Sequence, residues 1–307
     1  MQVPAAVVMV RPASFGFNPD TAPSFLFQRE ITDSNRKEIE RRARIEFDLL
    51  AGRLREVGVE VIVFDDKEEL NTPDSVFPNN WVSFHHDGTV ILYPMFAPSR
   101  RPERRRDIIE KLQNGGFRVS RALDLTHHEN HGRFLEGTGS VVFDHTDHIA
   151  YANSSPRTDF SVLKELCTTL GYSPVSFQAT YENGDPIFHT DMMMSVGDRF
   201  AMFCGDSIAD PAERKRVFDS LKNSGREVIL IDRRQAEQFA GNVIQLQTRD
   251  GGKVLAISTA ACLSLRPDQR DAIQKFAHLV ESPLPVFEGI GRGSARCMMA
   301  DVHLPRK

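Results

Sequence analysis

A strand–turn–helix–strand unit recurs along this chain and constrains its fold more than any other feature. Each copy has a short apolar strand, a turn of small residues, a charged amphipathic helix and another strand. Clear copies begin at HIAYANS (148–154) and RFAMFCGD (199–206), and a less regular copy runs from AAVVMVRP (5–12) through a long loop to a helix from Arg36 to Val57. Strands alternating with helices are typical of α/β proteins, and a period near 50 residues is typical of repeated modules. We therefore predict an α/β protein built as a ring of like modules.

The boundaries within two of these copies depend on particular segments. In the second copy we predict a helix over RRPERRRDIIEKLQ (100–113), and in the fifth a helix over DQRDAIQKFAHLVES (268–282) followed by a strand PLPVF (283–287). Glycines at the ends of the helical patterns are predicted to end helices in the left-handed conformation, which costs glycine little; they are Gly58, Gly171 and Gly225.

One polar residue stands at an equivalent place in each module, about ten to thirteen positions before an apolar strand. These residues are Asn80, Glu136, His189, Asn242 and Cys297, and their successive separations are 56, 53, 53 and 55. Equivalent positions in a ring of modules surround a common axis. The spacing therefore predicts that all five side chains meet at one site.

Cys297 is the candidate nucleophile of that site. It lies in GIGRGSARCMM, where Gly289, Gly291 and Gly293 allow backbone to approach a ligand closely. Arg292 and Arg296 are expected to lower the pKa of the thiol and so favour the thiolate. The alternative is a small buried cysteine in a final strand, because free cysteines are commonly buried.

His189 and Glu136 are the candidate acid–base pair. If His189 lies on a strand, Asp191 two residues later points to the same face, which suits proton transfer. Glu136 ends an apolar run, where a carboxylate needs a partner such as His189 or a cationic substrate group. The alternatives are a structural histidine and a loop glutamate that faces solvent.

Two competing sites are weaker. His127 and His131 flank Glu129 at a spacing that could bind zinc on a helix, but the surrounding residues favour a loop, and a second polar loop holds His145 and His148. We predict no metal site. The basic run RRPERRR (100–106) opens a helix and lacks interleaved aromatic residues, so we predict no nucleic-acid partner.

The bulk properties are typical of an ordinary soluble globular protein, which we expect in the cytoplasm. The chain has 307 residues, enough for one large domain or two ordinary ones, and its net charge of −4 gives no attraction to anionic membranes. No apolar run approaches the ~20 residues that span a bilayer. Its four cysteines are far apart, which predicts reduced thiols. The long charged helix from Arg36 could face solvent or a second copy in a homo-oligomer.

Several motifs together resemble the pentein, or guanidino-group-modifying, superfamily. The resemblance covers nearly the whole chain and is strongest to dimethylarginine dimethylaminohydrolases and bacterial citrulline hydrolases. PDSVFPNNW is similar to the family's substrate loop, FAPSRRPERR and SPRTD to segments with substrate-binding arginines, and FLEGTGS, FHTD and SARCMM to the acidic, histidine and nucleophile motifs. The resemblance implies a five-bladed α/β propeller of ββαβ modules with pseudo-five-fold symmetry.

The resemblance also implies a mechanism without a cofactor. Cys297 attacks the central carbon of a guanidino or ureido group, His189 transfers protons, and Glu136 orients the imidazole. Arg100 and Arg157 hold the substrate's α-carboxylate and Asp74 contacts its amino-acid end. Asn80 and Asp191 would lie at the reacting end.

Two departures from the family's pattern favour a neutral substrate. Asn80 and Gly139 stand where an acid is usual, and loss of negative charge weakens selection for a guanidinium. An amide can donate and accept hydrogen bonds, as a ureido group requires. We therefore expect citrulline hydrolysis to ornithine, ammonia and carbon dioxide. The alternatives are an arginine deiminase-like enzyme or dimethylargininase, an amidinotransferase, and a non-catalytic pentein scaffold.

Overall fold

The computed structural model describes residues 1–21 and 33–307, with side chains from residue 35 onward after the gap. Residues 22–32, which belong to the long loop predicted in the first copy, lie outside the described residues. No helix in the described part of the chain is both long and apolar enough to cross a membrane. All four cysteines are free and buried.

Fifteen described strands pair in one repeated pattern, which confirms the predicted α/β class. In each three-stranded unit a first strand is antiparallel to a second, and the second is parallel to a third. The units are β15–β1–β2, β3–β4–β5, β6–β7–β8, β9–β10–β11 and β12–β13–β14, and the pairing of β15 with β3 joins the first two into one six-stranded sheet. The strands are β1 Ala6–Arg11, β2 Glu60–Asp65, β3 Val82–Phe84, β4 Thr89–Leu92, β5 Arg121–Asp124, β6 Val141–Asp144, β7 Ile149–Asn153, β8 Ser173–Phe177, β9 Met194–Val196, β10 Phe200–Phe203, β11 Glu227–Leu230, β12 Ile244–Gln247, β13 Lys253–Ser258, β14 His278–Ser282 and β15 Ala300–Val302.

A helix connects the two parallel strands of every unit, as βαβ crossovers require. The helices are α1 Asp33–Glu56, α2 Arg106–Asn114, α3 Gly137–Ser140, α4 Phe160–Leu170, α5 Pro211–Asn223, α6 Arg233–Glu237, α7 Thr259–Ser264 and α8 Pro267–Gln274. The three predicted glycines, Gly58, Gly171 and Gly225, all have positive φ angles. The buried apolar side chains form four clusters, to which strands and helices of the units contribute.

The structure corrects the helix and strand boundaries of two units. The helix predicted from Arg100 begins only at Arg106, because Pro102 interrupts the pattern and residues 98–103 form a 3₁₀ helix instead. The helix predicted over 268–282 ends at Gln274, and the third strand of that unit is β14, not PLPVF. Pro283 and Pro285 lack the amide hydrogens that a strand needs for its ladder.

Candidate active site

The five equally spaced polar residues all lie just before the first strand of a unit. Asn80 precedes β3, Glu136 precedes β6, His189 precedes β9, Asn242 precedes β12 and Cys297 precedes β15. The repeated topology therefore places them at corresponding strand ends. Contacts link neighbours in the set: Glu136 with His189 at 2.7 Å, and the Asn242 amide with the Cys297 sulfur at 3.1 Å.

Cys297 is buried beside one carboxylate and one amide. Its thiol donates to Asp191 Oδ2 at 3.5 Å, its sulfur accepts from Asn242 Nδ2, and its backbone N–H donates to Asn242 Oδ1 at 3.3 Å. Burial, and secondarily the charge of Asp191, raise the pKa of this thiol well above its ordinary value. The protein therefore holds Cys297 as a neutral thiol in the unliganded site.

The net lowering of the Cys297 pKa expected from Arg292 and Arg296 is wrong, because burial and Asp191 outweigh the lowering that Arg296 does exert. Arg296 turns away to Asp301, at 2.8 Å, and to the Met299 carbonyl. Arg292 stacks over the ring of Phe239. Neither guanidinium offsets the loss of hydration at the sulfur. Two of the three glycines are needed for packing against a side chain: a Cβ on Gly291 or Gly293 would meet the Phe77 ring within 3.0 Å, whereas one on Gly289 would meet nothing within 4 Å.

His189 is paired with Glu136 rather than with Asp191. The Nε2 atom of His189 lies 2.7 Å from Glu136 Oε2, and Arg157 lies 3.4 Å from the same oxygen. Glu136 is fully buried, so it is not a solvent-facing loop residue. Burial by itself would raise the pKa of Glu136, but Arg157 and His189 outweigh it and hold that pKa well below its usual range. An ionised carboxylate therefore fixes the imidazole.

The strand predicted for His189 and Asp191 is also wrong. His189 precedes a 3₁₀ helix over Thr190–Met192, and the two side chains have different hydrogen-bond partners, Glu136 for His189 and Cys297 for Asp191. Asp191 accepts a hydrogen bond from Asn79 at 3.2 Å through Oδ2, the oxygen that faces Cys297. Its other oxygen has no hydrogen-bond partner among the described residues. Burial raises the pKa of Asp191, which makes it a better proton acceptor than an exposed aspartate.

Arg100 holds Asn80 in one orientation. Its guanidinium makes two 2.9 Å bonds to Glu103 and donates to Asn80 Oδ1 at 2.9 Å, and Asp74 lies 3.8 Å away. Because arginine only donates, the oxygen of Asn80 must face it, and the amide nitrogen must face away. That nitrogen is buried and has no partner in the described structure.

Most predicted site residues line one small cavity: Asp74, Asn80, Arg100, Arg157, His189 and Cys297. Glu136 and Asp191 are in contact with His189 and Cys297 of this lining. Asp74 is fixed by the Asn18 amide at 2.7 Å. The charged and polar lining suits a small polar molecule such as an amino acid.

Gly139 allows this close packing. A Cβ at that position would lie 2.5 Å from Asn80 Nδ2 and 3.0 Å from His189 Nδ1. An aspartate here, as in the related motif, would collide with both side chains. Glycine at position 139, where the related motif has an aspartate, therefore makes room for Asn80 in its observed place.

Sequence reasoning gave no role to three residues of this site. Asn242 was found by its spacing alone, although it makes two hydrogen bonds to Cys297. Asn79 and Glu103 were missed, because nothing marks their orientation toward Asp191 and Arg100.

The competing zinc arrangement around Glu129 is not formed. Residues 126–131 make a 3₁₀ helix, in which Glu129 pairs with Arg101 and Arg104. His128, which lies between the two histidines of the pattern, bonds to Glu165 instead.

The raised pKa of Cys297 predicts slow alkylation at neutral pH. Because the thiolate is the nucleophile, iodoacetamide should modify Cys297 more slowly than an exposed cysteine, and the rate should still increase at alkaline pH. Replacing Asp191 with asparagine removes a charge that opposes ionisation and should accelerate the reaction. Peptide-level mass spectrometry across a pH series measures both rates. A rate that levels off at or below neutral pH would contradict the prediction.

Comparison with known proteins identifies the family. Residues 11–304 match the family described as N,N dimethylarginine dimethylhydrolase, eukaryotic. No curated protein sequence matches significantly.

Solved structures share the fold at low sequence identity. The arginine dihydrolase ArgZ of cyanobacteria superposes with a TM-score of 0.74 at 16% identity, over 98% of this chain and 41% of that one, so this chain spans about two fifths of its length. The separate N-terminal domain of ArgZ, carrying a covalent reaction intermediate, gives 0.73 at 17% identity over 98% and 99% of the chains. The dimethylarginine dimethylaminohydrolase of Pseudomonas aeruginosa, complexed with citrulline, gives 0.65 at 13% identity over 97% and 99%. The match across nearly the whole sequence shows that this chain belongs to the N,N dimethylarginine dimethylhydrolase family and, with it, to the pentein superfamily.

Proposed function

We propose that the protein hydrolyses the ureido group of citrulline to ornithine, ammonia and carbon dioxide. Cys297 is the nucleophile, His189 the acid–base group and Glu136 the residue that orients it. The substrate's amino-acid end lies toward Asp74 and Arg157.

The orientation of Asn80 carries this proposal. Arg100 occupies its oxygen, so Asn80, which lines the cavity, turns an unpartnered amide N–H₂ away from Arg100. A ureido group has a carbonyl oxygen that accepts such a donor. A protonated guanidinium has only donors and no acceptor, so it would leave the Asn80 amide buried and unpaired, which costs roughly 1–3 kcal/mol. The site therefore favours the neutral group.

The contacts suggest a route for each proton. As the Cys297 sulfur attacks the ureido carbon, its proton passes to Asp191, to which the thiol already donates. Asn80 Nδ2 donates to the developing oxyanion. Imidazolium His189, stabilised by Glu136, protonates the ureido nitrogen that is bonded to the carbon chain, the bond from that nitrogen to the ureido carbon breaks, ornithine leaves, and the thiocarbamate H₂N–C(=O)–S remains on Cys297.

Water completes the reaction. Neutral His189 takes a proton from water, which attacks the thiocarbamate carbon, and the departing sulfur recovers its proton from Asp191. The carbamic acid released then loses carbon dioxide. Asn242 stabilises the thiolate when it leaves, because its amide already donates to the sulfur at 3.1 Å.

Arg100 is better suited to positioning Asn80 than to binding the α-carboxylate expected of it. Glu103, Asn80 and the carbonyls of Asp74 and Phe77 occupy most of its donors. Arg157, held over Phe188 at the cavity wall, is the better candidate for that carboxylate.

Arginine dihydrolysis is the second candidate, favoured by Asp191. The unpartnered Asp191 oxygen near Cys297 could accept from a guanidinium, and ArgZ is described as an arginine dihydrolase. Such an enzyme would hydrolyse arginine twice, and its second step would use the same ureido chemistry.

The proposal extends to architecture and location. We infer that the five units are the blades of one five-bladed α/β propeller spanning residues 1–307, because their strands pair identically and carry the site residues at equivalent ends. Free, buried cysteines favour a reducing compartment, the cytoplasm.

A substrate panel on purified protein tests the function. We expect ornithine, ammonia and carbon dioxide from citrulline, and little product from arginine or dimethylarginine. Ornithine from both citrulline and arginine would support dihydrolysis. Turnover of guanidine substrates that stops at citrulline would refute the neutral-substrate argument. Added amine acceptors test for transfer in place of hydrolysis.

Asn80→Asp should reverse the preference of the site. The carboxylate can still pair with Arg100, so folding should persist, but the donor to the ureido oxygen is lost. We expect kcat/KM for citrulline to fall by about 10²- to 10³-fold, the usual effect of removing one oxyanion donor, and for arginine to fall less or to rise. Steady-state kinetics on both substrates measure the ratio. Asn114→Asp, on the exposed end of α2, is the control, and undiminished citrulline turnover in Asn80→Asp would contradict the prediction.

A further inference from the structure

A second cluster of chemically active side chains lies at the other ends of the strands that carry the site. His145 directly follows β6 and His303 directly follows β15, while Asp301 lies within β15. Glu136 and Cys297 precede the same two strands. A four-residue strand such as β6 spans roughly 13 Å, so this cluster, here named the far-end cluster, is separate from the proposed catalytic residues.

The far-end cluster already has nearly the dimensions of a metal site. One potential ligand atom from each of His145, Asp301 and His303 lies within 4.8 Å of the others. His303 Nε2 is 3.0 Å from Asp301 Oδ2, and the two imidazole centroids are 4.1 Å apart. Ligands about 2.1 Å from a tetrahedral ion lie about 3.4 Å from one another, so small side-chain rotations would suffice.

An unsatisfied atom independently points to a missing ligand. His303 is only 5% exposed, and its Nδ1 has no hydrogen-bond partner within the described structure. A buried polar atom without a partner is costly, and such atoms are rare in folded proteins. With the proton on Nε2, toward Asp301, the Nδ1 atom carries a lone pair that can bind a cation.

Hydrogen bonds from neighbouring side chains fix His145 and Asp301, as such bonds fix metal ligands in other proteins. His145 Nδ1 is bonded to the Tyr172 hydroxyl at 2.8 Å, which leaves Nε2 for an ion. Asp301 Oδ1 accepts from Arg296 at 2.8 Å, and Asp301 Oδ2 is bonded to His303 Nε2, so a turn of the His303 ring that presents Nδ1 would replace this bond by the shared ion. Partners of this kind fix ring orientation and tautomer at metal sites.

An entry route and a further ligand are also present. His86 is exposed, and its ring centroid lies 4.6 Å from that of His303. Its Nε2 is bonded to the Met1 carbonyl at 2.7 Å, so its other nitrogen remains for an ion. His145 and Asp301 also line a cavity of mixed polar and apolar character, which reaches Asp191.

We propose that His145, Asp301 and His303 bind one divalent transition-metal ion, and that this ion fastens β15 to β6 of a different unit. Two imidazoles and a carboxylate are a donor set typical of Zn²⁺. The ion would be structural and takes no part in the hydrolysis proposed for Cys297.

Metal titration in a Cys297→Ser background tests the proposal, because that change removes the thiol as a competing ligand. We expect one equivalent of Zn²⁺ or Co²⁺ to bind, visible Co²⁺ bands without thiolate charge transfer, and a higher thermal midpoint with Zn²⁺. His303→Gln should abolish saturable binding, and the milder Tyr172→Phe should weaken it by about 10-fold or more.

Control variants separate this cluster from other histidines. His278→Gln, at an exposed position, should bind as the background does. Thermal midpoints without metal check folding, and Tyr172→Phe keeps the test valid if His303→Gln does not fold. No saturable binding in the background protein would overturn the proposal. Affinity in both His303→Gln and Tyr172→Phe equal to that of the background protein would also overturn it. So would binding that is lost on replacing His128, which forms another group of possible ligands with His127 and Glu165, but is kept on replacing His303.

Discussion

Replacing Cys297 with serine is expected to lower citrulline hydrolysis by roughly 10⁴- to 10⁶-fold, as loss of a covalent nucleophile does in other hydrolases. Serine fits the space of the thiol and can keep the hydrogen bonds to Asp191 and Asn242. A hydroxyl is a far poorer nucleophile than a thiol or thiolate. Ornithine release under single-turnover conditions measures the loss.

The matched control is Cys262→Ser, a buried cysteine between strands β13 and β14 and away from the cavity. It should retain near-normal turnover. If Cys297→Ser retained activity within about 10-fold, covalent catalysis by this residue would be refuted. Mass spectrometry should also detect a thiocarbamate adduct only in proteins that keep Cys297.

Replacing Glu136 with glutamine is expected to cost about 10⁴-fold, the loss seen when the carboxylate behind a catalytic histidine becomes an amide. Glutamine can still bond to His189, but it cannot stabilise the imidazolium that protonates the leaving nitrogen. The buried charge that balances Arg157 is lost as well, so some stability should also be lost. Steady-state kinetics and thermal unfolding separate the two effects.

The control for this variant is Glu46→Gln. Glu46 is another buried glutamate, on α1, and its carboxylate accepts from the backbone of Val286 and Phe287. It should show a stability change without the catalytic loss. If Glu136→Gln kept turnover within about 10-fold while remaining folded, the role assigned to Glu136 would be wrong.

The arrangement of the site was predictable from the sequence because it follows from repetition. Residues about 53 to 56 positions apart occupy the same strand end in successive units, so the spacing of Asn80, Glu136, His189, Asn242 and Cys297 was enough to bring them together. The helix ends at Gly58, Gly171 and Gly225 were predictable because left-handed backbone is a local property of glycine.

What the sequence did not reveal depends on side-chain direction and hydration. The pKa of Cys297 is raised because burial and the charge of Asp191 outweigh Arg296, and only the structure shows that Arg296 faces Asp301. Asp191 was assigned to His189 on the assumption of a strand, whereas a 3₁₀ turn directs it to Cys297. The far-end cluster joins His145 to Asp301 and His303, which follow it by more than 150 positions, so no local motif marks the whole cluster.

The pairing of β15 with β1 has a consequence for biosynthesis. The first unit takes one strand from residues 6–11 and another from residues 300–302, so it cannot be assembled before residue 302 has been synthesised. A nascent chain with Asn80, Glu136 and His189 in place still lacks Cys297 and leaves one edge of β1 unpaired, the kind of edge that chaperones cover and that aggregates exploit. The nucleophile and the strand that covers this edge should therefore become available together, because residues 297 and 300–302 are synthesised within a few residues of each other.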